Sequence, residues 1–227
     1  MQIADVNVAA AARLLADASR AAMLTLLLDG RAHPAGALAE AAGIGRPAAS
    51  AHLKQLVAAG YLEVVQQGRH RYYRISRPEV ATAVESLAAI APGRPVRSLR
   101  QSTAARRLAE ARTCYDHLAG RAGVALRDAL LEHQLLDGLS VTSRGEMALA
   151  AMEIDVSALG RQRRPLLKDC LDWTERRPHL AGALAAALLS AFTDRGWLNC
   201  RPGRRVEIAD WANIQLWLGC SSGCHSI

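Results

Sequence analysis

Residues 38–56 read LAEAAGIGRPAASAHLKQL, which is the pattern of two short helical segments separated by a glycine turn. Before the turn at Gly43, apolar residues recur so that they can share one core. After it, Arg46-Pro47 suits the first turn of a second helix, and Gly60 suits its end. The second helix carries one apolar stripe, formed by Ala49, Leu53, Leu56 and Val57. The spacing predicts a helix-turn-helix.

The sequence on either side completes a winged version of this motif. After Gly60 the period changes from helical to alternating, which predicts two strands, 61–65 and 71–75, around a turn at Gly68. Residues 8–28 have helical spacing interrupted at Asp17 and Ser19, which predicts two helices with a cap between them. A further helix is expected over residues 79–90, before the breaker Pro92-Gly93-Arg94-Pro95.

Composition and length indicate two domains. Ala and Leu dominate the hydrophobic half of the 227 residues, which favours a mainly α fold with small β-hairpins. We expect one domain at 1–92 that contains the winged motif, a linker at 93–103 and a mostly helical domain at 104–227 with a mobile tail. Residues 184–208 echo residues 53–62, which indicates a degenerate second winged helix. The sequence has neither a long uncharged apolar run nor a secretory signal, so a cytoplasmic protein without membrane contact is expected.

Charge is concentrated where the helix-turn-helix and its wing are predicted. Residues 46–77 hold six basic side chains and one acidic residue, Glu63, within a chain of net charge +7. A basic cluster of this kind suits the phosphates of double-stranded DNA.

Because the second helix of such a motif enters the major groove, its outward side chains are the candidate DNA contacts. Ser50, His52 and Gln55 can meet base edges, whereas Arg46 and Lys54 suit phosphates. The wing tip would lie along the backbone or minor groove. The full predicted set is Arg46, Pro47, Ala48, Ser50, Ala51, His52, Lys54, Gln55, Arg69, His70, Arg71 and Tyr73.

Four strings occur in an order that resembles the ArsR family of winged-helix repressors, over about residues 10–90: LAEAAGI (38–44), PAASAHLKQL (47–56), AGYL (59–62) and GRHRYYRI (68–75). The resemblance implies a homodimer that binds a palindromic operator and leaves it when an inducer binds. It also implies pairing through the flanking helices, at about 8–18 and 79–90.

The sequence departs from the metal sensors of that family. Residues 31–42 contain no cysteine, and residues 79–90 contain no His or Asp, so the sites common in the family are missing. An inducer, whether a small molecule or a metal, is therefore expected to bind in the C-terminal region.

Three Cys/His groups occur in the C-terminal region. The spacing of Leu108, Ala111, Tyr115, Leu118 and Ala119 predicts a helix, on which Cys114 and His117 are spaced i, i+3. Cys170 and His179 flank residues 172–178, and the tail holds Cys220, Cys224 and His225. If the first two pairs meet, they make a Cys2His2 set suited to zinc or copper(I), and thiolates also suit arsenite. The same cysteines could instead take an oxidant or only pack.

An organic inducer is the other interpretation of this region. Tyr115 and Trp173 could form the walls of a pocket, with Arg176 or Arg177 as charge partner.

An enzyme and a protein-interaction module are the two other classes of function to consider for this sequence. The sequence has no phosphate-binding glycine loop and no Gly-x-Ser-x-Gly, so an enzyme is not expected. A winged helix used only for protein interaction would not need the positive charge of residues 46–77, so salt-sensitive DNA binding discriminates against it.

Overall fold

The computed structural model describes residues 6–92 and 98–219. These residues form a mainly helical protein with small antiparallel sheets, which confirms the predicted fold class. The chain divides into two compact units between Val84 and Glu85.

The N-terminal unit has the predicted order of helices and strands. Its elements are α1 (Val8–Leu15), α2 (Ala18–Leu27), β1 (His33–Pro34), α3 (Ala35–Ala42), α4 (Arg46–Ala58), β2 (Leu62–Gln67), β3 (His70–Ile75) and the start of α5 (Pro78–Ile90). The sheet order is β1-β3-β2. Strands β2 and β3 pair from Leu62 opposite Ile75 to Gln67 opposite His70, which makes the wing.

Local chemistry explains where these helices begin and end. The Asp17 side chain accepts a hydrogen bond from Arg20 N at 2.9 Å and caps α2, as its position between the two helices predicted. Gly43 ends α3 in the left-handed conformation, with φ 64°, and so begins the turn that leads the chain to α4. Leu24, Leu38 and Leu53 are fully buried and join α2, α3 and α4 in one core.

The described part of the C-terminal unit contains the end of α5, six further helices and eight strands that pair in hairpins. Its elements are α6 (Leu99–Glu110), β4 (Arg112–Cys114), β5 (His117–Ala119), α7 (Arg121–Glu132), β6 (Leu136–Asp137), β7 (Ser140–Val141), α8 (Ser143–Ala150), α9 (Val156–Gly160), β8 (Lys168–Leu171), β9 (Pro178–Ala181), α10 (Ala183–Asp194), β10 (Leu198–Cys200), β11 (Val206–Ile208) and α11 (Trp211–Leu218). Its largest core surrounds α7 and α10, with Phe192 at 0% exposure.

Two copies of one motif make up most of this unit. Each copy has a hairpin, a 12-residue helix, a second hairpin and a short helix: β4 to α8 in the first copy, and β8 to β9 with α10 to α11 in the second. CYDHLAG (114–120) opens the first copy, and the second has CLD (170–172) and HLAG (179–182). The segment that indicated a second winged helix forms α10, β10 and β11, whose counterpart here is α7, β6 and β7.

One predicted helix is wrong. The spacing of Leu108, Ala111, Tyr115 and Leu118 predicted a helix through residue 119, but α6 ends at Glu110 and a hairpin follows. Both strands of this hairpin are buried on both faces, and such strands lack the alternation that distinguishes them from buried helix. Tyr115, with φ 64°, makes the turn between them.

Some sequence predictions fall partly or wholly outside the described residues. Residues 93–97 of the predicted linker and the tail group Cys220, Cys224 and His225 lie there, and α6 begins at Leu99. Among residues 6–92 and 98–219, no helix has both the length and the apolar character to cross a membrane.

Candidate DNA-binding surface and metal centre

Helix α4 presents most of its predicted DNA contacts to solvent. Ala49, Leu53 and Leu56 are buried and fix the helix against α2 and α3. The exposed members of the predicted set are Arg46, Pro47, Ala48, Ser50, Ala51, Lys54 and Gln55. The helix therefore has the apolar inner stripe and the short polar outer face that a groove-binding helix requires.

His52 is half-buried because α2 holds it. Its Nδ1 lies 3.3 Å from Arg20 Nη1 and 4.0 Å from Asp17 Oδ1. The same Arg20 nitrogen donates to Gln55 Oε1 at 3.2 Å. Sequence reasoning missed Arg20, although its position in the first turn of α2 put it near the capping residue. Arg20 orients two side chains that were predicted to meet base edges.

The wing exposes the remaining predicted contacts at its tip. Arg69, His70 and Arg71 are exposed, whereas Tyr73 is half-buried opposite Val64. Glu63 pairs with Arg74 on the neighbouring strand, so the acid of this basic segment is neutralised within the wing.

Two hairpins position the Cys/His pairs of the C-terminal unit. Cys114 lies directly opposite His117 across β4 and β5, and Cys170 lies directly opposite His179 across β8 and β9. The expectation that Cys114 and His117 share a helix face is therefore wrong, because the segment is a hairpin. The two residues are neighbours all the same, since residues paired across a hairpin lie as close as those one helical turn apart.

The structure brings both pairs together in one cluster, hereafter the Cys2His2 cluster. One ligand atom from each of Cys114, His117, Cys170 and His179 lies within 4.8 Å of the others. The two Sγ atoms are 3.9 Å apart and the two imidazole centroids 5.2 Å apart. A tetrahedral zinc ion with Zn–S bonds of about 2.3 Å needs its sulfurs about 3.8 Å apart. The donor types and the sulfur spacing fit such an ion.

The imidazoles are oriented as metal ligands usually are. Among the described residues, Nε2 of His117 and both ring nitrogens of His179 are buried with no hydrogen-bond partner. On the other side of each ring, Nδ1 faces a carboxylate, at 3.2 Å from Asp116 Oδ1 and 3.3 Å from Asp172 Oδ2. A carboxylate behind the ring sets the tautomer that leaves the second nitrogen available to a metal.

The carboxylate of Asp172, beside the cluster, accepts hydrogen bonds at both of its oxygens. Its Oδ2 accepts from Arg112 Nη2 at 2.9 Å and from Gly120 N at 2.7 Å, and both charged side chains are fully buried. Its Oδ1 accepts from Thr174 N and Thr174 Oγ1 at 2.9 and 2.6 Å. Burial opposes ionisation, but His179, Arg112 and these hydrogen bonds outweigh it and lower the pKa of Asp172 well below its ordinary value.

The two thiols interact directly, and this shifts their pKa values in opposite directions. The hydrogen bond between them lowers the pKa of Cys170 and raises that of Cys114, and His117 and His179 lower the pKa of Cys170 further. Burial disfavours charge on His179, yet contacts with Asp172 and Cys170 outweigh it and raise the pKa of His179. The lowered pKa favours the thiolate form of Cys170, which is the form that binds soft metals.

The residues predicted to line an organic-ligand pocket make contacts within the protein, and the pocket itself stays a prediction. The Arg112 guanidinium lies 4.6 Å from the centre of the Trp173 ring, and Arg177 Nη2 donates to Asp128 Oδ2 at 2.7 Å on the surface. Tyr115 occupies the turn of the first hairpin.

Sequence reasoning missed Asp116, Asp172 and Arg112. The available signal was the repeat of Cys-x-Asp and His-Leu-Ala-Gly in both copies of the motif, which marks equivalent positions rather than two unrelated Cys/His spacings.

A helix-turn-helix with a wing defines the class of the protein as a DNA-binding transcriptional regulator, and comparison with known proteins agrees. The family described as "Helix-turn-helix domain" matches residues 15–65. The HTH-type transcriptional regulator YdfF of Bacillus subtilis is 41% identical over 204 residues, which cover 88% of this chain and 90% of the relative. The chain belongs to the ArsR family of winged helix-turn-helix transcriptional regulators and carries an additional C-terminal region. This assignment confirms the resemblance and the prediction that the chain is not an enzyme.

Solved structures match a smaller part of the chain. The homodimeric winged helix-turn-helix domain of Mb0332 from Mycobacterium bovis is 32% identical, with 37% of this chain and 76% of that chain covered and a TM-score of 0.34. The cadmium sensor CMTR from Mycobacterium tuberculosis is 31% identical, with 40% and 99% covered and a TM-score of 0.32. HlyU from Vibrio cholerae is 23% identical, with 40% and 97% covered and a TM-score of 0.36.

Proposed function

We propose that this regulator is a homodimeric repressor that leaves a palindromic operator when a thiophilic metal ion binds the Cys2His2 cluster. The observation that carries the proposal is the convergence of two buried thiols and two imidazoles, with their ligand atoms within 4.8 Å of one another. Burying four such donors without a ligand is costly when imidazole nitrogens have no hydrogen-bond partner.

The DNA-binding roles follow from exposure and chemistry. Ser50 and Gln55 on α4 have donors and acceptors for base edges, so they would supply discrimination between sequences. Arg46, Lys54 and the wing-tip residues Arg69 and Arg71 would contact phosphates, which adds affinity but little sequence information. His52 would need to exchange its contact with Arg20 for one with DNA.

Two exposed apolar surfaces support a homodimer. Helix α1 buries none of its own side chains, and Val8 is 70% exposed. In α5, the second helix through which family members pair, Leu87 and Ile90 are 45% and 80% exposed. Large exposed apolar side chains mark interaction sites. A two-fold dimer of winged helices would require an operator with matching two-fold symmetry.

Zinc is the ion that the donor set favours among the thiophilic ions. Cys2His2 is a common tetrahedral zinc set, and two thiolates neutralise the charge of a divalent ion. Copper(I) also accepts thiolate and imidazole, whereas arsenite prefers thiolates alone and would use only Cys114 and Cys170.

The test is fluorescence anisotropy of the reduced protein on its own upstream DNA, titrated separately with zinc, copper(I), cadmium and arsenite. The variant is Cys114→Ser/Cys170→Ser, and Cys200→Ser is the matched control because Cys200 lies in the same unit but outside the cluster. We expect one ion to release the wild type and the control, but not the double variant. Tight DNA binding by the wild type at saturating concentrations of every ion would overturn the proposal.

The short distance between the thiols favours a second candidate, a redox switch. With Sγ atoms 3.9 Å apart, a small approach would allow a disulfide of about 2.05 Å to form. Two thiols would lose two protons and two electrons to a peroxide, which would be reduced to water or an alcohol. Release of DNA by hydrogen peroxide that dithiothreitol reverses, with no release by any ion, would support this candidate over the metal.

A further inference from the structure

The first hairpin of the Cys2His2 cluster is tied to helix α5 through Arg204. Thr113, next to the ligand Cys114, donates its N–H to Arg204 O at 2.8 Å, and Arg204 Nε donates to Thr113 O at 3.0 Å. The other end of the Arg204 guanidinium pairs with Glu85 of α5, and both charged side chains are buried. Because a buried ion pair is costly to separate, a shift of this hairpin is opposed unless Glu85 moves with it.

The second hairpin is tied to the same helix through Arg176. This residue lies in the segment that joins β8 to β9, and its N–H donates to Asp172 O at 2.9 Å. Its Nη1 donates to Ala89 O at 2.9 Å. Ala89 lies in the last turn of α5, where carbonyls have no intrahelical partner. Since the Asp172 side chain faces His179, this contact links the second pair of ligands to the end of α5.

The contacts of Arg204 and Arg176 meet α5 on the same face. Glu85 and Ala89 are spaced i, i+4, so they lie one above the other on the helix. Helix α5 is continuous from Pro78 to Ile90 and begins soon after the wing strand β3 ends at Ile75. A displacement of this face would therefore act on a helix whose first residues follow the wing directly in the chain.

We propose that Glu85, Arg204 and Arg176 are positioning residues that transmit ion occupancy of the Cys2His2 cluster to helix α5. This inference rests on the proposed function. The ligand atoms now lie up to 4.8 Å apart, and a tetrahedral ion with bonds of about 2.0–2.3 Å would draw them to within about 3.8 Å of one another. The two hairpins must then approach each other. Both would displace α5, because Arg204 contacts Glu85 and Arg176 contacts Ala89.

The experiment measures ion affinity and DNA affinity separately in the full-length protein. Arg176→Ala removes the second tie, Glu85→Gln removes the first, and Glu85→Gln/Arg204→Gln removes the first without leaving an unpaired buried charge. Arg176→Lys is the conservative rescue variant. Arg201→Ala is the matched control, since Arg201 is an exposed arginine of the same unit that pairs with Glu207 instead. Zinc is the probe, and thermal melting of each variant accompanies the binding measurements.

In the wild type and the control, zinc should weaken DNA binding by a factor of about 5–150, the usual range of allosteric coupling. Arg176→Ala and the double variant should keep the zinc affinity and the DNA affinity of the metal-free protein, while zinc weakens their DNA binding less than about fivefold. Arg176→Lys should restore part of the effect. Variants that bind zinc and release DNA like the wild type would overturn the roles of Glu85, Arg204 and Arg176 but leave the proposed function intact. A wild type that binds no zinc, or binds it without releasing DNA, would overturn zinc as the effector and this inference with it, whereas the proposed function itself is overturned only by the same failure with every ion.

Discussion

Asp172→Asn should be among the most damaging single substitutions in the C-terminal unit. The carboxylate and Arg112 are both fully buried at 2.9 Å, and the same oxygen accepts from Gly120 N at 2.7 Å. Asparagine keeps the size but leaves the Arg112 charge uncompensated, and removing one partner of a buried pair costs about 3–5 kcal/mol. At about 2–4 °C per kcal/mol for a chain of this length, the melting temperature should fall by about 6–20 °C.

Asp169→Asn is the matched control, because Asp169 lies in β8 three residues before Asp172 and pairs with Arg127 at 2.8 Å with 42% of its side chain exposed. An exposed pair contributes less than about 1 kcal/mol. Thermal unfolding of the metal-free proteins by circular dichroism at pH 7 measures the difference. If Asp172→Asn melts within about 2 °C of Asp169→Asn, the assignment of Asp172 as the anchor of this region is refuted.

The lowered pKa of Asp172 adds a pH dependence to the same comparison. Because its folded-state pKa lies below the unfolded value of about 3.9, its stabilising contribution is complete above that pH. It is lost only as the pH falls through the lower folded-state pKa. The part of the stability gap between wild type and Asp172→Asn that comes from ionisation of Asp172 itself should therefore be complete down to about pH 5 and be lost only in stronger acid. A second part, due to the raised pKa of His179, is complete in mild acid and is lost as the pH rises through that pKa.

Three further predictions concern DNA binding and the hairpins. Arg69→Ala and Arg71→Ala should each lower the slope of log K against log salt by about 0.9 and weaken binding to operator and random duplex alike, as measured by anisotropy at several salt concentrations; an unchanged slope would argue for a protein-interaction module. Ser50→Ala should reduce discrimination between operator and random duplex by about 1 kcal/mol with little change in the salt slope, and an unaltered affinity ratio would remove Ser50 from base contact. Gly182→Ala should cost about 1–3 kcal/mol, because φ is +104° and a Cβ would lie 2.6 Å from a backbone carbonyl oxygen. Gly160→Ala, with nothing within 4 Å of its Cβ, should unfold with the wild type in urea, and equal midpoints for both variants would contradict this reasoning.

The DNA-binding unit could be predicted from the sequence because each of its signals is local. The apolar stripe of α4, the glycine at position 43 and the cap at Asp17 each act within a few residues of themselves. Alternation after Gly60 was enough to place the wing, since one face of that hairpin is exposed. Arg20 was not found, because its contacts with His52 and Gln55 join residues far apart in the chain.

The metal centre required the tertiary structure. By itself the sequence determined the donors, two cysteines and two histidines in pairs, and the copies of Cys-x-Asp and His-Leu-Ala-Gly that carry them. It could not tell helix from hairpin around Cys114, because short strands buried on both faces have the same continuous apolar pattern as a buried helix. Only packing decided that the pairs meet, since the approach of β5 to β9 depends on the core between α7 and α10. The contacts made there, above all the one between the two thiols, then lowered the pKa of Cys170 and placed carboxylates beside the imidazoles.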